Sequence, residues 1–222
     1  VPQQDGRSVR RTPERDADLE LTVEWLAEKT YWEQQRLEEI VAELQGDHPQ
    51  IALAGPPGTG KTWLAEHLAR YFTNDDSLSW RVVQFHPSYG YEEFIEGLRP
   101  TPGAGGGLNF KPHKGVVLDM ADQAPNSSWQ VLVVDEMNRA NLPRVFGELM
   151  YALERRGAAV DLMYSKGFTL PENMLFIGTM NTADRSIRNI DIALRRRFFI
   201  YDCSPDPEIL ARFYNDHRNE VE

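Results

Sequence analysis

The sequence predicts an α/β fold in which a five-stranded parallel sheet lies between helices. Three observations lead there. Short apolar runs of strand length recur at 50–54, 81–85, 130–134, 174–179 and 198–201. Segments with apolar residues spaced three and four apart separate them, as amphipathic helices require. The runs at 50–54 and 130–134 are apolar almost throughout instead of alternating, which is how strands buried on both faces read. In such doubly wound folds ligands gather at the carboxyl ends of the strands.

Each element can be justified in turn. Residues 1–18 are rich in Arg, Pro, Asp and Gln and hold almost nothing apolar, so they cannot build a core and read as a disordered leader or linker. From Leu19 the pattern turns helical: Leu19, Val23 and Leu26, then Leu37, Ile40, Val41 and Leu44, with Gly46 as a stop. One or two helices are therefore expected ahead of the sheet. After the first strand comes a helix with Leu64, Ala65, Leu68 and Ala69 on one face, and 142–154 reads as another helix. Residues 101–108, with Pro102 and a run of glycines, read as a mobile loop. Residues 158–170, centred on Ser165-Lys166-Gly167, read as a β-hairpin insertion. The core is expected over 19–205, and 206–222 resembles only the first helix of a further helical part.

Bulk properties bound the rest. At 222 residues, 41% hydrophobic and 26% charged, the chain suits one globular core with flanking material. No segment approaches the roughly 18 consecutive apolar residues of a membrane span. The single cysteine, Cys203, cannot form an internal disulfide, which fits a reducing cytoplasm. A formal net charge of −10 argues against the domain alone binding nucleic acid nonspecifically, because phosphate contacts demand basic surface. His86 and His113 lack metal-ligand spacing with any His or Cys partner. Trp25, Trp32 and Trp63 read as core or interface packing, not as platforms for a base.

The chemistry is concentrated in four places. Gly55-Pro56-Pro57-Gly58-Thr59-Gly60-Lys61-Thr62 matches G-x-x-x-x-G-K-[ST] with a strand before it and a helix after it. Glycines let the backbone turn its N–H groups inward around a polyphosphate, and the helix N-terminus adds unpaired donors and a favourable dipole. Lys61 supplies charge to the β- and γ-phosphates, and Thr62 offers a hydroxyl to Mg²⁺. Next, the 130–134 strand ends in Asp135-Glu136. Asp135 can hold Mg²⁺ through its water shell, while Glu136 orients and deprotonates an attacking water. A carboxylate one residue beyond the metal ligand favours hydrolysis over transfer to an acceptor.

The third place is Asn181-Thr182-Ala183-Asp184, after the fourth strand. If that strand lies between the first and third, Asn181 faces the γ-phosphate and helps hold the nucleophilic water. A guanine-reading N-K-x-D role is excluded by position, since a residue beside the γ-phosphate cannot also reach a base some 10 Å or more away. The fourth is Arg195-Arg196-Arg197, with Arg185 and Arg188 nearby. Guanidinium groups offered across a subunit boundary can neutralise charge developing on a departing phosphate. Pairing with Asp184 and Asp191, or simple solvation, is the competing reading.

With these residues in view, the sequence resembles the McrB-type AAA+ proteins, motor subunits of methylation-dependent McrBC restriction systems. The likeness runs from Ile51 to Asp202. It rests on the glycine-rich loop, on Val83-Gln84-Phe85-His86-Pro87-Ser88-Tyr89, on Asp135-Glu136-Met137-Asn138-Arg139-Ala140-Asn141, on Gly178-Thr179-Met180-Asn181-Thr182-Ala183-Asp184-Arg185-Ser186, and on Ala193-Leu194-Arg195-Arg196-Arg197-Phe198. The resemblance implies an AAA+ P-loop NTPase core that uses Mg²⁺ and hydrolyses GTP, as in the best-known branch, or ATP. It implies a homo-oligomeric ring, expected to be hexameric, with nucleotide at subunit boundaries and Arg195 or Arg196 acting in trans. Asn181 takes the role called sensor 1, and Asn138 would bind or gate the hydrolytic water. A nuclease partner of the McrC type follows, with DNA read by a domain not in this chain. The sequence departs from the family where a complete helical lid and an N-terminal DNA-recognition domain would stand, so it is expected to be part of a longer protein. Two other readings share some features: an ATP-driven remodeller of the MoxR or dynein-related kind, and a nucleotide-gated assembly module.

Overall fold

The computed structural model describes residues 20–46, 49–102, 107–123, 128–183 and 195–216. Along them the elements are α1 (Val23–Thr30), α2 (Gln34–Gln45), β1 (Gln50–Gly55), α3 (Lys61–Thr73), β2 (Trp80–Gln84), α4 (Tyr91–Phe94), β3 (Glu96–Pro102), β4 (Leu108–Lys114), α5 (Val116–Gln123) and β5 (Gln130–Asp135). A short 3-10 turn (Met137–Arg139) follows, then α6 (Leu142–Phe146), α7 (Leu149–Glu154), β6 (Met174–Asn181), β7 (Phe199–Asp202) and α8 (Pro207–Asp216).

The five expected strands form one sheet in the order β2-β5-β6-β1-β7, with parallel pairing throughout. β6, the fourth of these strands in sequence, therefore lies between β1 and β5. Two apolar layers cover the faces. One contains Phe85, Phe94, Phe146, Phe176 and Phe198 under α5, α6 and α7. The other joins Leu26, Leu37, Ile40 and Leu44 of the two leading helices to Leu64 and Leu68 of α3. The helices expected from the spacing near Leu19 are thus part of the core, and Gly46 ends α2.

Three sequence expectations are corrected. The 142–154 helix breaks into α6 and α7 at Gly147, whose φ of 45° is left-handed and whose missing Cβ makes room for the Tyr91 ring. The hairpin expected over 158–170 reduces to one antiparallel bridge, Val160 with Phe168. At its tip the segment turns through Leu162 N to Ser165 O. There the buried Glu96 accepts hydrogen bonds from Tyr164 N at 2.6 Å and Ser165 N at 3.0 Å, so a carboxylate of the core pins the turn in place of a longer ladder. The expected 101–108 loop is shortened from both ends by a full hairpin, with Thr101 and Pro102 in β3 and Leu108 in β4; residues 103–106 of that loop lie outside the described residues. Among the described residues no helix is long and apolar enough to cross a membrane.

Candidate nucleotide site

β1 delivers the glycine-rich loop to the edge where β5 and β6 also end. The first glycine is set by packing: a Cβ on Gly55 would lie 2.2 Å from the Cys203 carbonyl oxygen. Gly58 (φ 81°) and Gly60 (φ 75°) are set by conformation, since both are left-handed and nothing stands within 4 Å of their absent Cβ. Gly60 caps α3 without a side-chain hydrogen bond, so the first donors of this 13-residue helix point into the loop. Lys61 is buried, and its Nζ donates to Pro56 O at 2.5 Å and Thr59 Oγ1 at 3.2 Å. Burial lowers the Lys61 pKa below the ordinary lysine value, against an opposing pull from anionic neighbours that include Glu136 and Asp135.

Asp135, at the end of β5, is the hub. Its Oδ1 accepts from Thr62 Oγ1 and from Thr179 Oγ1, each at 2.7 Å, and Gln84 Nε2 reaches Oδ2 at 3.4 Å. Thr179 is buried on β6, and its hydroxyl in turn accepts from Glu136 N at 3.1 Å. Glu136 is a non-glycine residue at φ 52°, ψ 39°, a left-handed conformation that costs free energy and persists only where neighbours enforce it. Its Oε2 lies 3.4 Å from Arg139 Nε and makes no hydrogen bond. Asn181 ends β6 opposite Gly55. Its side-chain oxygen accepts from Ala183 N at 3.1 Å, and its backbone N–H donates to Asn138 Oδ1 at 3.3 Å.

A cavity of about 270 Å³ is lined by Pro57, Gly58, Gly60, Lys61, Thr62, Trp63, Glu136, Thr179 and Asn181. The sequence-predicted loop, the Asp135-Glu136 pair, Asn138 and Asn181 therefore converge. The arginine cluster divides. Arg197 Nε donates to Met150 O at 2.7 Å and its Nη2 lies 2.8 Å from Glu154 Oε1, so it braces α7. Arg195 and Arg196 are exposed. Arg185, Arg188, Asp184 and Asp191 lie outside the described residues.

Sequence reasoning missed two features. Thr179 was seen only as part of a resemblance, although its spacing two residues before Asn181 on one strand face was a usable signal. The second is a larger apolar cavity, about 630 Å³, beside the loop and lined by Tyr31, Trp32, Trp63, Asp206, Leu210 and Phe213 among others. Trp63 is 54% exposed there and donates through Nε1 to Lys29 O, so of core or interface packing it is not core; Trp32 is buried as expected. Tyr31 is left-handed (φ 62°) and meets Phe213 of α8 edge-on at 5.7 Å.

A parallel sheet with the glycine-rich loop after one strand, paired carboxylates after a second and an asparagine on the strand between them defines a P-loop NTPase of the AAA+ type. Residues 50–198 match the family described as AAA domain (dynein-related subfamily), and the chain belongs to that family and is of its McrB type. It is 45% identical over 168 residues to the Type IV methyl-directed restriction enzyme EcoKMcrB subunit of Escherichia coli (strain K12), covering 70% of this chain and 35% of that protein. It is 27% identical over 184 residues to the Type II restriction enzyme BsuMI component YdiS of Bacillus subtilis (strain 168), covering 65% and 54%. The chain thus spans about a third and about half of these curated relatives.

Proposed function

We propose that this chain is the nucleoside-triphosphate-hydrolysing motor domain of a McrBC-like restriction complex. The observation that carries the reading is the meeting of Thr62, Asp135 and Thr179 within hydrogen-bond distance at the mouth of a glycine-lined loop. These are hard oxygen donors, the set a magnesium ion accepts, and the ion would be held by Thr62 directly and by Asp135 through its water shell. When bound it supplies charge neutralisation for the triphosphate. The protein's own contribution is positional. The α3 N-terminus and Lys61 hold the phosphates, Glu136 takes the proton of the attacking water, and Asn181 with Asn138 keeps that water in line. The aromatic cavity beside the loop takes the base, with Trp63 and Tyr31 as its walls.

GTP is favoured over ATP by the McrB resemblance, and the same resemblance supports a ring, an McrC-like nuclease partner and DNA read by a domain outside this chain. Arg195 or Arg196, exposed beside the braced Arg197, would complete a neighbour's site. The match to a dynein-related subfamily keeps an ATP-driven remodeller as the second reading; both restriction-enzyme relatives weigh against it. The test is phosphate release with GTP and ATP side by side, for wild type and Glu136→Gln. Turnover with GTP that Glu136→Gln abolishes while nucleotide still binds is the expected result. A preference for ATP would favour the remodeller, and turnover untouched by Glu136→Gln would sink the mechanism.

A further inference from the structure

The β3–β4 hairpin forms a two-stranded sheet of its own, and its two faces differ. Leu98 pairs with Pro112, Pro100 with Phe110 and Pro102 with Leu108 on one face; Arg99 pairs with Lys111, Thr101 with Asn109 and Gly97 with His113 on the other. The first face is apolar. The second holds two exposed cations directly opposite each other, an arrangement that destabilises a strand pair. Neither has a carboxylate partner among the described residues. No Asp or Glu occurs from Gly97 to Leu118, although the chain carries 34 acidic against 24 basic side chains. The acids that flank this stretch in sequence are engaged elsewhere: Glu96 accepts from Tyr164 N and Ser165 N, Asp119 is paired with Arg81, and Asp122 is paired with Lys114. Uncompensated charge held against its own repulsion, in a chain with carboxylates to spare, points to an anionic ligand.

We infer that the Arg99/Lys111 face of this hairpin binds the phosphate backbone of DNA. The inference rests on the restriction-complex reading for the identity of the polyanion. Lys111 and His113 stand two residues apart on one face, roughly 7 Å along the strand, a step comparable to that between successive phosphates. Arg99 offers a fork that can bind a phosphate through two parallel hydrogen bonds, and Lys111 offers a point charge. Asn109 adds a neutral donor of the kind common at phosphate contacts. The overall charge of −10 does not forbid this. Arg99 lies three residues out from the Glu96–Lys114 pair at the foot of the hairpin, about 10 Å, which exceeds the Debye length of about 8 Å at physiological salt. Such contacts carry no base information, so binding is indifferent to sequence and methylation.

The test is fluorescence anisotropy of a short labelled duplex titrated with the chain across a salt series, for wild type, Arg99→Gln/Lys111→Gln and Arg99→Lys/Lys111→Arg. The glutamine pair is expected to weaken binding about tenfold at low salt and to flatten the slope of log affinity against log salt by about two; the charge-conserving pair retains both. The thermal midpoint of the glutamine pair should not fall, because two like charges facing each other are removed. Indistinguishable binding by the glutamine pair, or no binding by wild type at low salt, would overturn the inference. So would competition by polyglutamate as effective as by DNA, or a parallel loss of self-association on sizing; either outcome assigns the face to an acidic protein such as a second copy. Nucleotide binding followed on the same samples keeps the two proposals apart: a DNA difference without any nucleotide response would uphold this one and sink the other.

Discussion

Replacing Thr179 by valine tests the centre of the site, because it removes one oxygen and keeps the volume. That oxygen donates to Asp135 Oδ1 at 2.7 Å and accepts from Glu136 N at 3.1 Å. A hydrogen bond to a charged acceptor contributes about 1.5–3 kcal/mol, and a backbone N–H left unpaired in a part-buried site costs about 1 kcal/mol more. Thr179→Val should therefore lower the unfolding free energy by about 2.5–4 kcal/mol, read as a shift of the urea midpoint at unchanged slope. The kinetic consequence is separable. The freed Glu136 backbone no longer has its φ of 52° enforced, and misplacement of a base on that scale lowers kcat by about tenfold to a hundredfold. KM should move less than kcat, since the loop and Lys61 are untouched and only Asp135 loses a bond, and Thr179→Ser should restore both stability and kcat. A valine variant equal to wild type in midpoint and kcat would refute the hub. A lower midpoint with unchanged kcat below the transition would leave Thr179 structural only.

Three further outcomes follow from the same geometry. Gly55→Ala should abolish nucleotide binding by driving β7 off β1, whereas Gly58→Ala meets no atom and should cost only the left-handed penalty of about 1–2 kcal/mol; equal effects in a thermal melt would contradict the split. Lys61 has its pKa lowered by burial, and a bound polyphosphate should raise it again, so nucleotide binding just below the ordinary lysine value should take up protons. Titration calorimetry in buffers of different ionisation enthalpy reads that sign, and proton release would count against Lys61 as the phosphate ligand. Arg197→Ala should lose about 2 kcal/mol of stability with its bonds to Met150 O and Glu154. Arg195→Ala and Arg196→Ala should leave the melt unchanged, and at least one should lower turnover.

What could be read from the sequence was what local chemistry dictates. The glycine-rich loop, the strand ending in Asp135-Glu136 and the strand ending in Asn181 each carry their own signal, and the parallel α/β class follows from their periodicity. Of the side-chain hub, Thr62 and Asp135 were legible as ligands of one Mg²⁺, whereas the bond of Thr179 to Asp135 arises only once β5 and β6 pair. The β3–β4 hairpin was hidden by Pro100, Pro102 and Pro112, which demote a strand reading. All three share one parity of the register, on the face that also carries Leu98, Leu108 and Phe110, so a two-stranded ribbon with open edges tolerates their missing N–H groups. The aromatic cavity escaped because it joins Tyr31, Trp63 and Phe213, three residues with no common pattern in the chain.

Register explains why the site exists at all and supplies a last test. Gly55 lies opposite Asn181, and Val134 opposite Gly178, so Thr179 comes beside Asp135 on the sheet face that α3 covers, where Thr62 can reach it. Residue 178 then faces the other way, and it must be small: a Cβ there would lie 2.3 Å from Met137 Sδ. Met137 follows Glu136 directly, so Gly178→Ala should push on the turn that carries the base. Overpacking of this sort costs about 1–3 kcal/mol, and turnover should fall with stability. If the steric route is right, shortening the far partner relieves it: Gly178→Ala with Met137→Ala should show a favourable coupling in a double-mutant cycle, in both the melt and kcat. Additive losses would mean that Gly178 is required for the strand's own conformation, and that Met137 transmits nothing to Glu136.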